Sequence, residues 1–204
     1  MGFLRASASF TRYRPIGEVP SSLWSNIPDL LQQFAFQEIE RSNAERGFGW
    51  VSFEDFLDTE WHTAPPSKGE FIAFALRLDT RRIPPAVFKK HYQLALADLQ
   101  ETMRQKGQKY VTRSQKQELK EQVKLRLLSQ TLPIPAVFDV VWNTASNRIY
   151  FGSIQGKVRT LFEELFAETF GLQLEPLTPF ALAEALLGSE TASHLEEYEP
   201  GVFV

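Results

Sequence analysis

The stretch Gly69–Leu128, GEFIAFALRLDTRRIPPAVFKKHYQLALADLQETMRQKGQKYVTRSQKQELKEQVKLRLL, decides the fold class because its apolar periodicity changes partway along. From Phe71 the pattern has a period of two. Phe71, Ala73 and Ala75 share one face, while Ile72, Phe74, Leu76 and Leu78 share the other, as in a strand buried on both sides. Arg77, Arg81 and Arg82 suggest that its second half emerges into water or toward an anion. Pro84-Pro85 stops the strand, and Pro85 suits the first turn of a helix. That helix is expected from Ala86 to about Lys106, with Val87, Phe88, Tyr92, Leu94, Ala95, Leu96 and Leu99 available for packing, and Gly107 breaks it. Thr112 or Ser114, each followed three residues later by Gln, opens a second helix with a capping box. The class is therefore α+β: a mixed or antiparallel sheet, packed helices, and a long basic helical hairpin over about residues 86–130.

Charge singles out Arg104–Leu128 within this stretch. Arg104, Lys106, Lys109, Arg113, Lys116, Lys120, Lys124 and Arg126 face only Glu118 and Glu121, a local balance of +8 − 2 = +6 in a chain of net charge −3. On a helix, Lys116, Lys120 and Lys124 form an i, i+4, i+8 ridge beside an apolar ridge of Leu119, Val123 and Leu127. A merely solvated face would be expected to pair Glu with Lys at i, i+4. Here Gln122 and Leu125 occupy the positions four after Glu118 and Glu121. Lys89 and Lys90, separated from the ridge by one helix, are expected to add to the same field. Beyond Leu161 there is no Lys or Arg, and nine Glu follow, so residues 1–160 carry +22 − 16 = +6.

The flanking chain reads as further strands and helices. Ala6–Arg14 suits a strand ended by Pro15, Gly17 and Pro20. Ser21 or Ser22 caps a helix through Gln33, which Pro28 should shorten or kink. Phe34–Ile39 is expected to be a strand, and Arg41–Gly49 a polar turn region leading into GFGWVSF. Val137–Asn143 and Arg148–Ser153 read as a hairpin about an Asn-containing turn. An amphipathic helix over Lys157–Phe170 ends at Gly171, followed by a short strand at Leu172–Leu177 and a helix at Pro179–Leu187. One domain spanning 1–204 is expected, with the helical arm and a Glu-rich tail at about 188–204.

Several chemistries find little support. With no cysteine there are no disulfides, thiolate metal sites or cysteine nucleophiles. No apolar run approaches the roughly 20 residues of a membrane span, and the first residues lack the apolar core of a signal peptide, so a cytoplasmic protein is expected. GSIQGKV, Gly152–Val158, has three residues between its glycines and Val after the Lys, where a phosphate loop needs four and a Ser or Thr. His62, His91 and His194 lack ligand spacing. Glu54, Asp55, Asp58 and Glu60 form an acidic cluster, read first as a solvated loop and second as part of a metal-dependent nuclease site with Asp79 or Asp139. No metal, cofactor or catalytic residue is assigned, and the protein is not expected to be an enzyme.

Five segments occur in an order that resembles the recombination-associated RdgC family: GWV at Gly49–Val51, RLDTRRIPPAVFKKH from Arg77, SQKQELKEQV from Ser114, VVWNTASNRIYFGS from Val140, and LQLEPLTP from Leu172. The resemblance covers about Ala6–Pro179. It implies a nucleoid-associated homodimer that binds DNA with little sequence preference and restrains recombinase-driven strand exchange, with a basic inner surface that encircles the duplex. By position, that lining would include Arg77, Arg81, Arg82, Lys89, Lys90, Lys116, Lys120 and Lys124. The chain matches a short form, since longer members continue well past its last residue. Family members have a basic and an aromatic residue just after the basic helix, where this chain has Gln130 and Leu132. DNA contacts are therefore placed on the helix ridge and not at its end. The family also carries an exonuclease label.

The residues and the resemblance converge on a sequence-independent binder of double-stranded DNA, with single strands as a further substrate. Its expected contact set adds Arg104, Lys106, Lys109 and Arg113 to the lining. The competing reading is a self-assembly or protein-interaction module whose basic helix docks on acidic surfaces. A metal-dependent exonuclease is third.

Overall fold

A computed structural model describes residues 3, 8–40, 42, 44–108 and 110–188. Lys109, His194 and the Glu-rich tail beyond Gly188 lie outside the described residues. The chain separates into two compact units, one of residues 1–36, 49–77 and 137–204, the other of residues 37–48 and 78–136. The fold is α+β.

The sheet comprises β1 (Thr11–Pro15), β2 (Arg46–Ser52), β3 (Ser67–Lys68), β4 (Phe71–Thr80), β5 (Ile134–Asn143), β6 (Arg148–Phe151) and β7 (Leu174–Pro176). Its order is β2-β4-β5-β6-β1-β7, with β3 pairing β4, and it is antiparallel. The expected hairpin is β5–β6, in register at Val140↔Phe151 and Asn143↔Arg148. Its turn is fixed by Asn143 Oδ1, which accepts from the Ser146 N–H at 2.7 Å, and by Asn147 in the left-handed region at φ 51°.

The first unit holds the aromatic core. Helix α1 (Leu23–Gln33) buries Leu23, Ile27 and Leu31, and helix α4 (Gly156–Phe170) buries Val158, Phe162, Leu165, Phe166 and Phe170. Both present i, i+3/i+4 apolar stripes, the pattern that lets a helix cover a sheet. Phe162 stacks on Phe151 of β6 with centroids 4.1 Å apart and planes 7° apart, while Trp50 and Trp142 are fully buried beside them. Gly171, at φ 68°, ends α4 in the left-handed conformation that glycine adopts without steric cost. The last helix, α5 (Pro179–Leu187), is capped by Thr178, whose Oγ1 accepts from the Ala181 N–H at 3.1 Å.

Three expectations are corrected here. Pro28 neither stops nor shortens α1, which runs through it; the proline forfeits one backbone bond while the buried face on either side stays continuous. Phe34–Ile39 is not a strand. It makes one bridge, Ala35↔Trp50, flanked by Trp50 N–H to Phe34 O at 3.0 Å and Phe36 N–H to Trp50 O at 2.9 Å, and joins no named strand among the described residues. The segment Arg41–Gly49, expected to be polar and turn-rich, already contains the start of β2 at Arg46.

Candidate nucleic-acid interface

The second unit carries the basic hairpin: α2 (Pro85–Gln105) and α3 (Arg113–Gln130), packed together. Pro85 occupies the first helical turn of α2, where its missing N–H costs nothing. At the other end the Gly107 N–H reaches Arg104 O at 3.0 Å and the Gln108 N–H reaches Met103 O at 2.9 Å, with Gly107 at φ 77°. This is a Schellman closure, and it turns the chain sharply out of α2. Thr112, not Ser114, then starts α3. The Gln115 N–H donates to Thr112 Oγ1 at 3.2 Å and the Thr112 N–H donates to Gln115 Oε1 at 3.0 Å, so two otherwise orphaned donors are satisfied reciprocally.

Helix α3 divides as its sequence suggests. Val123 and Leu127 are buried and Leu119 is half-buried, whereas Lys116 and Lys120 are exposed and Lys124 is half-buried. Its two acids are taken by glutamines: Gln117 Nε2 donates to Glu121 Oε1 at 2.8 Å and Gln122 Nε2 to Glu118 Oε1 at 3.4 Å. Among the described residues no ion pair engages Lys89, Lys90, Lys116 or Lys120. Arg82, Arg104, Lys106 and Arg113 are exposed as well. Lys124 differs, with Nζ 2.5 Å from Glu45 Oε1; this hydrogen bond, with the charge behind it, raises the ammonium pKa. Helix α2 buries none of its residues completely, and Val87 and Leu94 stay 40% and 55% exposed, so the packing expected of them is only partial.

Arg77 and Arg81 do not emerge into water. Both are buried, at 5% and 6% exposure. In the first unit, the Arg77 guanidinium lies 4.0 Å from the centroid of the Phe36 ring. In the second, Arg81 is a clamp on the chain between Ile39 and Ala44. Its Nη2 donates to Ile39 O at 3.0 Å and Glu40 O at 2.8 Å, and its Nη1 to Ser42 O at 2.5 Å. A planar fork of donors suits this carbonyl cluster, and it leaves little to offer a phosphate.

The acidic residues serve loop structure. Asp58 accepts backbone N–H groups from Glu60, His62 and Thr63, Asp55 accepts from Leu57, and Glu54 pairs with Lys68 at 2.6 Å. Asp79 is buried at 2% exposure. Asp139 accepts the Phe3 N–H at 2.7 Å, and burial pushes its carboxyl up. Among the described residues no group of three or more His, Asp or Glu is placed to hold a metal ion, and no helix is long and apolar enough to cross a membrane.

Two residues at this surface have no place in the sequence reading. Glu45 carries no local signal, because its partner Lys124 is distant in the chain. Tyr110 is 83% exposed in the turn between α2 and α3. An aromatic between a helix-ending Gly107 and the basic Arg113 was the available clue.

Fold and surface together define an α+β protein whose second unit displays a basic helical hairpin in which Lys124 is paired with Glu45 while Lys116 and Lys120 are exposed. A family model described as "Putative exonuclease, RdgC" matches residues 11–189. The chain belongs to the RdgC family, which is associated with recombination. Comparison with curated proteins returns no match.

Proposed function

We propose that this protein binds double-stranded DNA without sequence preference, through phosphate contacts from the α2–α3 hairpin, and that it modulates recombination by covering the duplex. The observation carrying this reading is the exposed pair Lys116 and Lys120, which lack a carboxylate partner while the glutamates of the same helix bond to glutamines. Two like charges one helical turn apart, with no ion pair of their own among the described residues, make a surface suited to an anion. Arg82, Lys89, Lys90, Arg104, Lys106 and Arg113 extend it, with Lys109 as a further candidate by sequence. Arg77 and Arg81 drop out as contacts because they are spent inside. The protein acts as a homodimer on the nucleoid, opposes a recombinase by occupying its substrate, and cuts nothing.

Each Lys or Arg that neutralises a phosphate releases counterions, so affinity falls with salt; six to ten contacts lose roughly 10³–10⁵ between 50 and 200 mM. Fluorescence anisotropy with a labelled mixed-sequence duplex should show this slope, and Lys116→Glu with Lys120→Glu should abolish most binding. Salt-insensitive binding, or none, sinks the reading. Salt-sensitive self-association without DNA would instead favour the assembly module.

A further inference from the structure

We propose that the turn joining α2 and α3 is a subsite for an unpaired nucleotide, with the Tyr110 ring as the platform on which its base stacks. This rests on the DNA reading above and names a second form of substrate. Tyr110 is 83% exposed, although closures at both helix ends fix the backbone on either side of its turn. The ring borders a cavity of about 160 Å³ that is also lined by Met103, Arg104, Gln108, Val111 and Lys116. These residues bring together apolar surface from Met103 and Val111, two cations, and an amide able to meet a base edge. Among the described residues no carboxylate lines the cavity.

That combination matches a nucleotide part by part. A base offers a π face to the phenol ring and its phosphate is met by Arg104 or Lys116, the pairing of aromatic platform and cationic track used on single strands. Inside a duplex both faces of every base are covered by neighbours. Only an overhang, a gap or a single strand supplies an unpaired base, so the turn distinguishes such sites from the paired duplex gripped by the lysine ridge.

The test uses the full chain, a labelled single strand of mixed sequence and the blunt duplex of the same strand, read by anisotropy at low salt. Tyr110→Ala should weaken single-strand binding roughly 5- to 100-fold and change duplex binding less than about twofold. Tyr110→Phe should retain wild-type behaviour, and a 2-aminopurine in the strand should lose its quenching only in Tyr110→Ala. Unchanged single-strand affinity in Tyr110→Ala, or equal losses on both DNAs, overturns the subsite while salt-sensitive duplex binding by the wild type keeps the phosphate reading intact. Binding of neither DNA by the wild type would overturn both.

Discussion

Glu45 Oε1 sits 2.5 Å from Lys124 Nζ, so one lysine of the ridge is already answered from within the protein while Lys116 and Lys120 are not. Glu45 therefore competes with a phosphate for Lys124. Replacing Glu45 by Gln removes the competing charge and keeps the size of the side chain. DNA affinity should rise severalfold at low salt and the log–log salt slope should steepen by about 0.9, one further released counterion. Because the pair is solvent-exposed, the thermal midpoint should barely move. An unchanged slope would show that Lys124 is no part of the contact surface.

Arg81 should matter to stability more than to charge. Its guanidinium satisfies the carbonyls of Ile39, Glu40 and Ser42 from a nearly dry position. Arg81→Ala removes this donor from the Glu40 and Ser42 carbonyls, while Ile39 O keeps the Ser42 N–H and hydroxyl, and should cost about 2–3 kcal/mol. Arg81→Lys keeps the charge but loses the fork and should recover only part of it. Denaturant unfolding gives the stabilities, and hydrogen exchange should show faster exchange over residues 37–48 in both variants. If Arg81→Ala lost DNA affinity with no change in stability, the clamp would be the wrong description.

The contrast between Arg81 and Lys116 shows what could be read in advance. Lys116 belongs to a periodic pattern, and the period alone places it beside the buried Val123–Leu127 ridge and away from the core. Local chemistry likewise exposed a capping box at Thr112 or Ser114, Pro85 at a helix start and Gly171 at a helix end, since each depends on neighbours within four residues. Arg81 follows the last residue of β4, where charge suggests an outward direction. Its partners are backbone carbonyls, which carry no side-chain signature, so nothing nearby in the sequence marks it as buried. Glu45 with Lys124, and the single bridge between Ala35 and Trp50, are long-range in the same sense. The RdgC family resemblance was legible because it rests on ordered segments, not on any one of these contacts.

Gly49 is required by a close backbone approach. A Cβ there would lie 2.5 Å from both the N and the Cα of Phe36 and 2.7 Å from the carbonyl carbon of Ala35. Those are backbone atoms held by the two bonds that flank Trp50, so they cannot swing aside as a side chain would. Gly49→Ala should destabilise the protein by about 1–3 kcal/mol, measured by urea unfolding. Gly17→Ala is the control for general glycine effects: at φ 87° it carries conformational strain, yet its added Cβ meets nothing within 4 Å. A Gly49→Ala variant as stable as wild type would mean that the segment at Phe36 readily gives way.

Asp58 predicts a pH dependence. Burial pushes its carboxyl up, but the hydrogen bonds from Thr63, Glu60 and His62 outweigh that and hold it at about 2, below the ordinary 3.8. They close a loop in which Trp61 adopts φ 55°, a left-handed conformation costly for a bulky residue. A depressed carboxyl pKa stabilises the folded state above the unfolded value near 3.8, and the contribution is lost as pH falls through about 2. Asp58→Ala should therefore lower the thermal midpoint by about 2–6 °C at neutral pH. The difference from wild type should narrow between pH 4 and pH 2, as the wild-type carboxyl takes up its proton. Midpoints that stay equally far apart down to pH 2 would mean that Asp58 supports the loop through its shape and not through its charge.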